Sequence, residues 1–218
     1  MELLPKMTTS FACLCKAVSD RVLASIGLML IAPVFLIVAI LLKIRRESVF
    51  FRQKRIGQYG QPFEVYKFTT MFQGSEKKGT ITISSDPRVT SLGKFLRRYK
   101  INELPQLLNV LKGEMSFIGP RPLPQEEINL YLPHVQAKIF TVKQGITGLA
   151  TLWFIEEDIL LDQVDNPNVY YAKVILPRKG KLECYYVDNW SLLLDMRIFW
   201  KTLFKLFLCF LPIQTRSD

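Results

Sequence analysis

A chain of 218 residues with 49% hydrophobic content can fill one good core or two small ones, and its net charge of +10 favours an anionic partner. Nucleic acid and the anionic cytoplasmic leaflet of a membrane both answer to that charge, and a charge-free run from Val22 to Leu42 decides for the leaflet over nucleic acid. Cys13, Cys15, Cys184 and Cys209 form neither a paired zinc pattern nor a dense disulfide framework, so they read as reduced thiols of a cytoplasmic protein. Acylation or soft-metal binding at Cys13 and Cys15 is a minor alternative.

Residues 1–10 read as a polar lead-in to a helix from about Phe11 through Leu42. Its apolar run, VLASIGLMLIAPVFLIVAILL, is long enough as a helix to match the roughly 30 Å hydrocarbon core of a bilayer. It is longer than the apolar part of a secretory signal, and no small-residue cleavage pattern follows it. Lys16 and Arg21 precede it and Lys43, Arg45 and Arg46 follow, so neither end is disfavoured from the cytoplasm. Pro33 lacks an N–H and clashes with the preceding turn, which predicts a break. A helix that enters, bends at Pro33 and returns is favoured over a kinked span.

Residues 48–72 alternate as strands do, with Gly57, Gly60 and Pro62 marking the turn of a hairpin. A polar loop over 73–85, including Lys77 and Lys78, gives way to a helix from Ser91. A second helix follows over Glu103 to Leu111 and is closed by Gly113. Gly119 to Pro122 must turn. Pro124 to Phe140 reads as helix, interrupted or restarted at Pro133, and its His134 has no partner at metal-ligand spacing. Lys143 to Ala150 reads as a tight loop. From Ser191 to Ile213, Arg197, Lys201 and Lys205 recur on one face of an otherwise apolar helix. That pattern suits a helix in the headgroup plane, with a core helix that has one wet edge as the alternative.

The stretch from Phe95 to Pro122, FLRRYKINELPQLLNVLKGEMSFIGPRP, carries Arg97, Arg98, Arg121 and Glu103. Arginine forks and a turn rich in backbone N–H groups suit phosphate, and a carboxylate beside them suits a divalent cation. Arg98 reads as a solvated helix face, whereas Arg121 sits between two prolines that limit its wandering.

Taken in order, these residues resemble the bacterial sugar transferases, the monotopic phosphoglycosyl transferases. The likeness runs from Asp20 to about Lys205. It rests on the Pro-centred apolar helix, Phe51-Arg52-Gln53 with Arg55 and Gly57, and Lys67-Phe68 with Thr70-Met71. Further along it rests on Asp86-Pro87-Arg88, Leu96-Arg97-Arg98, Glu103-Leu104-Pro105-Gln106, Gly119-Pro120-Arg121-Pro122 and Gly145 to Ala150.

The resemblance implies transfer of a sugar 1-phosphate from a UDP-sugar to a polyprenyl phosphate such as undecaprenyl phosphate. UMP would leave, and the product would feed downstream glycosyltransferases of surface glycan or exopolysaccharide assembly. It implies Mg²⁺ held by Glu103, and Lys67, Arg97, Pro120 and Arg121 as substrate-binding residues. In the family an Asp-Glu pair forms a covalent phosphosugar intermediate, and Asn102 occupies the position of that Asp. A neutral amide has neither the charge nor the free lone pair to attack phosphorus. Three readings stay open: transfer by direct attack of the lipid phosphate, a weak or inactive homologue that binds lipid or nucleotide or acts as a scaffold, and an inactivated variant. Thr69, Gln144, Ala32 and the run Thr151-Leu152-Trp153-Phe154 also depart from the family pattern.

The expected architecture is α/β and monotopic, on the cytoplasmic face of the bacterial inner membrane. It has a Pro-broken re-entrant helix over 1–46, then a transferase domain over 47–218 with a small sheet and amphipathic interfacial helices.

Overall fold

The computed structural model describes residues 10–75 and 82–210; Lys77, Lys78 and the helix expected beyond 210 lie outside them. Helix α1, Ser10–Ile44, is the one described helix long and apolar enough to cross a membrane. Pro33 does not divide it, so the expected two-part element is one continuous helix. The missing N–H and the clash with the carbonyl four residues earlier cost about 3 kcal/mol. Packing on both sides of Pro33 offsets this: Ala24 is buried with Leu28 and Ile31 beside it, and Val38 and Leu42 are buried beyond. Each large aliphatic side chain so covered contributes about 1.5–3 kcal/mol. The opposite face, including Leu14, Met29, Leu30, Leu36 and Ile37, is exposed.

The hairpin expected over 48–72 is present as β1, Phe50–Ile56, paired antiparallel with β2, Pro62–Phe68. A 3-10 turn joins them, with Tyr59 and Gly60 at positive φ. Phe68 and Leu96 pack against Leu42 and Val38, seating the hairpin on the C-terminal half of α1. Helix α2, Ser91–Arg98, and helix α3, Gln106–Lys112, flank a 3-10 turn over Ile101–Glu103. Gly113, at φ 80°, ends α3 as expected. Val110 and Leu107 of α3 pack with Ala24 and Val65, so α3 lies between α1 and the hairpin.

One sequence reading is corrected here. Gly145–Thr147 is not a loop but strand β4, parallel to β3, Ser116–Ile118. The crossover between them carries α4, Gln125–Ile128, and α5, Pro133–Ile139, with Pro133 starting the second helix. Beyond β4 follow α6, Leu149–Trp153, α7, Glu157–Asp162, and α8, Pro167–Tyr170. A π-helical turn, Tyr171–Ile175, leads into α9, Leu176–Asp188. Ile139, Leu161, Ile175 and Leu176 form the core of this helical half. Helix α10, Leu192–Phe210, closes the described chain and packs Ile198 against Ile118 and Tyr186. The small sheet is thus two separate two-stranded ladders.

Candidate active site

Alternation along β2 turns Phe68 into the core and Lys67 to the opposite face. Helix α2 supplies Arg97 from its last turn. The hydroxyl of Thr90 caps this helix by accepting the Gly93 N–H at 3.0 Å. A Cβ on Gly93 would lie 2.0 Å from the Thr70 carbonyl oxygen, so only glycine lets α2 approach this closely. Thr70 in turn accepts a hydrogen bond from Arg97 Nε at 2.9 Å, which aims the guanidinium.

Lys100, at φ 56°, reverses the chain after α2 and presents Asn102 and Glu103 on the 3-10 turn. A non-glycine residue in that region costs of order 1–3 kcal/mol, sustained by the contacts the turn makes. Lys67 Nζ donates to Glu103 Oε1 at 2.8 Å, and Arg121 Nη2 donates to the same oxygen at 2.7 Å. Oε2 has only Arg121 Nη1, at 3.5 Å. Burial is the strongest single influence on Glu103 and pushes it up, but Arg121 and Lys67 together hold it well below the ordinary carboxylate range. Lys67 is pushed down to about 8, chiefly by burial, with Glu103 opposing and Arg121 and Arg55 adding to the fall. Burial also lowers Arg97. Arg121 is raised, first by Glu103. Asn102 is buried, and its Oδ1 has no hydrogen-bond partner.

The turn that carries Arg121 is clamped from two sides. Gly119 N–H donates to Thr147 O at 3.0 Å, and Gly145 N–H donates to Pro120 O at 2.8 Å. A Cβ on Gly145 would fall 2.2 Å from the Gly119 nitrogen, so β4 needs glycine to come this near. Arg121 N–H donates to Glu183 Oε1 of α9 at 3.1 Å. Pro120 itself is buried behind the turn and faces a small side cavity with Glu183 rather than the main one.

Lys67, Arg97, Asn102, Glu103 and Arg121 line one cavity of about 950 Å³. The fold therefore brings together five residues singled out from sequence, with Lys67 and Glu103 36 positions apart and Arg121 a further 18 along the chain. It left Pro33 far off in α1, and Arg98 exposed with its guanidinium over the Tyr99 ring at 5.7 Å.

Several lining residues were not singled out from sequence. Arg55, quoted only within a motif, donates to the Pro122 carbonyl at 3.2 Å and is pushed down to about 10 by burial. Tyr171 donates to Glu127 at 2.6 Å, and Lys179 is ion-paired with Glu157. A signal existed in α9, where Lys179 and Glu183 occupy the inward stripe with Leu176 and Val187. Charges at core positions of an amphipathic helix point to partners inside.

A cationic wall of Lys67, Arg97, Arg55 and Arg121 around one carboxylate suits a pyrophosphate. Among the described residues no group of three or more His, Cys, Asp or Glu gathers as a metal cage. Mg²⁺ needs only one or two protein oxygens beside water and substrate phosphates. Glu103 Oε2, lightly engaged, is an oxygen of that kind.

Residues 11–209 match the profile of the family described as bacterial sugar transferase. The chain is 40% identical over 171 residues to an uncharacterized sugar transferase of Bacillus subtilis, EpsL, across 78% of this chain and 75% of that protein. It is 35% identical over 202 residues to the exopolysaccharide production protein ExoY of Rhizobium meliloti, across 84% of this chain and 81% of that protein. The UDP-glucose:undecaprenyl-phosphate glucose-1-phosphate transferase of Escherichia coli is 36% identical over 198 residues, across 88% of this chain and 40% of that protein.

Proposed function

The chain belongs to the bacterial sugar transferase family, and on that premise we propose that it moves a sugar 1-phosphate from a UDP-sugar to undecaprenyl phosphate. The observation that carries this reading is the cluster of Lys67, Arg97 and Arg121 around Glu103 in a cavity of about 950 Å³. Cations fixed before substrate arrives stabilise charge spread over phosphoryl oxygens without reorganising at the moment of reaction. Arg121, held by Glu103 and by a clamped backbone, is the best placed of them.

Asn102 shapes the mechanism. With no carboxylate there to attack, a phosphate oxygen of the acceptor lipid forms the new bond to the β-phosphorus. The bond to the bridging oxygen breaks, and UMP leaves with that oxygen. Lys67 and Arg97 hold the phosphates, and the orphaned Asn102 oxygen accepts from a donor that the substrates bring. Mg²⁺, held by Glu103, would draw negative charge from the phosphoryl oxygens. A second reading, favoured by Asn102 alone, is a non-catalytic protein that binds lipid or nucleotide.

The product would be consumed by downstream glycosyltransferases of a surface glycan or exopolysaccharide. Both ends of α1 touch the same folded domain, Lys16 through Asp195 at 2.6 Å and Leu42 through Phe68 and Leu96. Those contacts support a re-entrant attachment with both ends at the cytoplasmic headgroups. Incubating the protein in nanodiscs with a panel of UDP-sugars and undecaprenyl phosphate, with and without Mg²⁺, tests the proposal. Release of UMP together with a lipid-linked sugar is expected. Nucleotide binding without turnover on any donor would establish the non-catalytic reading instead.

A further inference from the structure

The cavity that holds the cationic cluster does not end there. Its lining also includes Leu104 and Leu107, Phe117 of β3, Ile146 of β4 and one stripe of α10; Phe117 and Ile146 pack with Leu107, and the Phe117 ring centroid lies 6.2 Å from that of Phe199. On α10 the lining positions are Phe199, Thr202, Leu203 and Leu206, spaced three or four apart as one helical face. The adjacent stripe, with Met196, Trp200, Phe204 and Phe207, is exposed, and Arg197 and Lys201 are exposed beyond it. Helix α10 therefore walls the cavity with one apolar stripe and turns a neighbouring apolar stripe outward, next to its basic face.

The hydroxyls beside this apolar arm of the lining are engaged with the protein. Thr202 Oγ1 donates to the Ile198 carbonyl at 2.9 Å and lies 3.1 Å from the Thr147 hydroxyl. Lys205, the basic residue next along α10, donates its ammonium to the Leu152 carbonyl at 2.9 Å. Behind Leu107 stands α1, close enough that a Cβ on Gly27 would touch Leu107 Cδ1 at 3.3 Å. The arm thus lies between the apolar helix α1 and the exposed apolar stripe of α10.

We propose that this arm receives the isoprenoid units next to the phosphate of the polyprenyl phosphate acceptor. The inference rests on the transfer reading above and names the acceptor half of its site. A nucleotide sugar is polar throughout and gains nothing from Leu104, Leu107, Phe117 and Ile146. An acceptor with one anionic head and one apolar chain matches a cavity that carries a cationic cluster and this apolar lining together. Its phosphate lies against Lys67, Arg97 and Arg121, and its chain leaves past Leu203 and Leu206 towards the exposed surface. A phospholipid with two acyl chains is a poorer match to a single arm.

Photo-crosslinking tests this without requiring turnover. The full chain in nanodiscs is illuminated with a prenyl phosphate that carries a diazirine in its first isoprene units, and labelled peptides are mapped by mass spectrometry. Label is expected within 104–107, 117, 146 or the inner stripe of α10, suppressed by excess undecaprenyl phosphate and not by dioleoyl phosphatidic acid. Label confined to Trp200, Phe204, Phe207 or the outer face of α1, or equal suppression by phosphatidic acid, would overturn the proposal. As a second measurement, Leu206→Lys is expected to raise KM for undecaprenyl phosphate roughly tenfold while the donor KM stays within about twofold. An unchanged acceptor KM counts against it. If no donor supports transfer yet label falls in the arm, the transfer reading fails and the lipid site stands; transfer with label elsewhere sinks the lipid site alone.

Discussion

Asn102 and Glu103 stand side by side on one 3-10 turn yet carry opposite consequences. Glu103 is kept ionised at neutral pH by Arg121 and Lys67, whereas Asn102 brings an uncharged oxygen with no partner into the same cavity. Replacing Asn102 with Asp exchanges the amide NH2 for an oxygen and supplies a nucleophile without altering the turn. Intact-mass spectrometry of Asn102→Asp after incubation with a UDP-sugar and no acceptor is expected to show a phosphosugar adduct, and the parent protein none. An adduct on the parent would refute direct transfer, and its absence from the variant despite donor binding would refute the idea that only the nucleophile is lacking. The residues around this pair were legible because phosphate chemistry restricts residue types to Arg, Lys and a carboxylate. Tyr171 and Glu127 escaped notice because they lie 44 positions apart, and nothing in their spacing reports that they meet.

The turn from Gly119 to Pro122 shows how separate elements build one contact. Its conformation depends on β4 on one side and on Glu183 of α9 on the other. The helices and the β1–β2 hairpin were readable because periodicity and turn residues are local. Strand β4 was not, since three residues with two nearby glycines look like a loop until β3 pairs with them. Glu183 carries a pH consequence. Burial raises its carboxyl from 4.5 to about 7, against the pull of the Arg121 N–H, Lys179 and Arg121. Between pH 4.5 and about 7 the folded chain keeps a proton that the unfolded chain has released, so this group's stabilising contribution falls as pH rises through that window. The loss reaches at most roughly 3 kcal/mol. Glu183→Gln keeps an acceptor for the Arg121 N–H but cannot ionise. Its melting temperature relative to the parent is expected to rise between pH 5 and pH 8; a constant difference across that range would show that Glu183 does not titrate there.

At the scale of the whole molecule, α1 is more than an anchor. Its Asp20 accepts the Phe117 N–H at 3.2 Å, and Lys16 donates to the Ile118 carbonyl at 3.1 Å, so its first turns hold β3 directly before the Gly119–Pro122 turn. Its far end, at Val38 and Leu42, supports Phe68, the neighbour of Lys67. The same apolar helix thus braces both strands that deliver cations to Glu103. A helix that delivered its two ends to opposite faces of a bilayer would break one of these contacts, and breaking the Lys16–Asp195 pair would also strand a buried charge. Single-cysteine variants, one keeping Cys13 and one carrying Arg45→Cys, are expected to react with a membrane-impermeant maleimide in inverted vesicles and to be protected in intact spheroplasts. Opposite accessibility of the two positions would mean that α1 spans the membrane. The contacts joining it to β3 and β2 could then not both persist, and the site would have to be braced from within the domain alone.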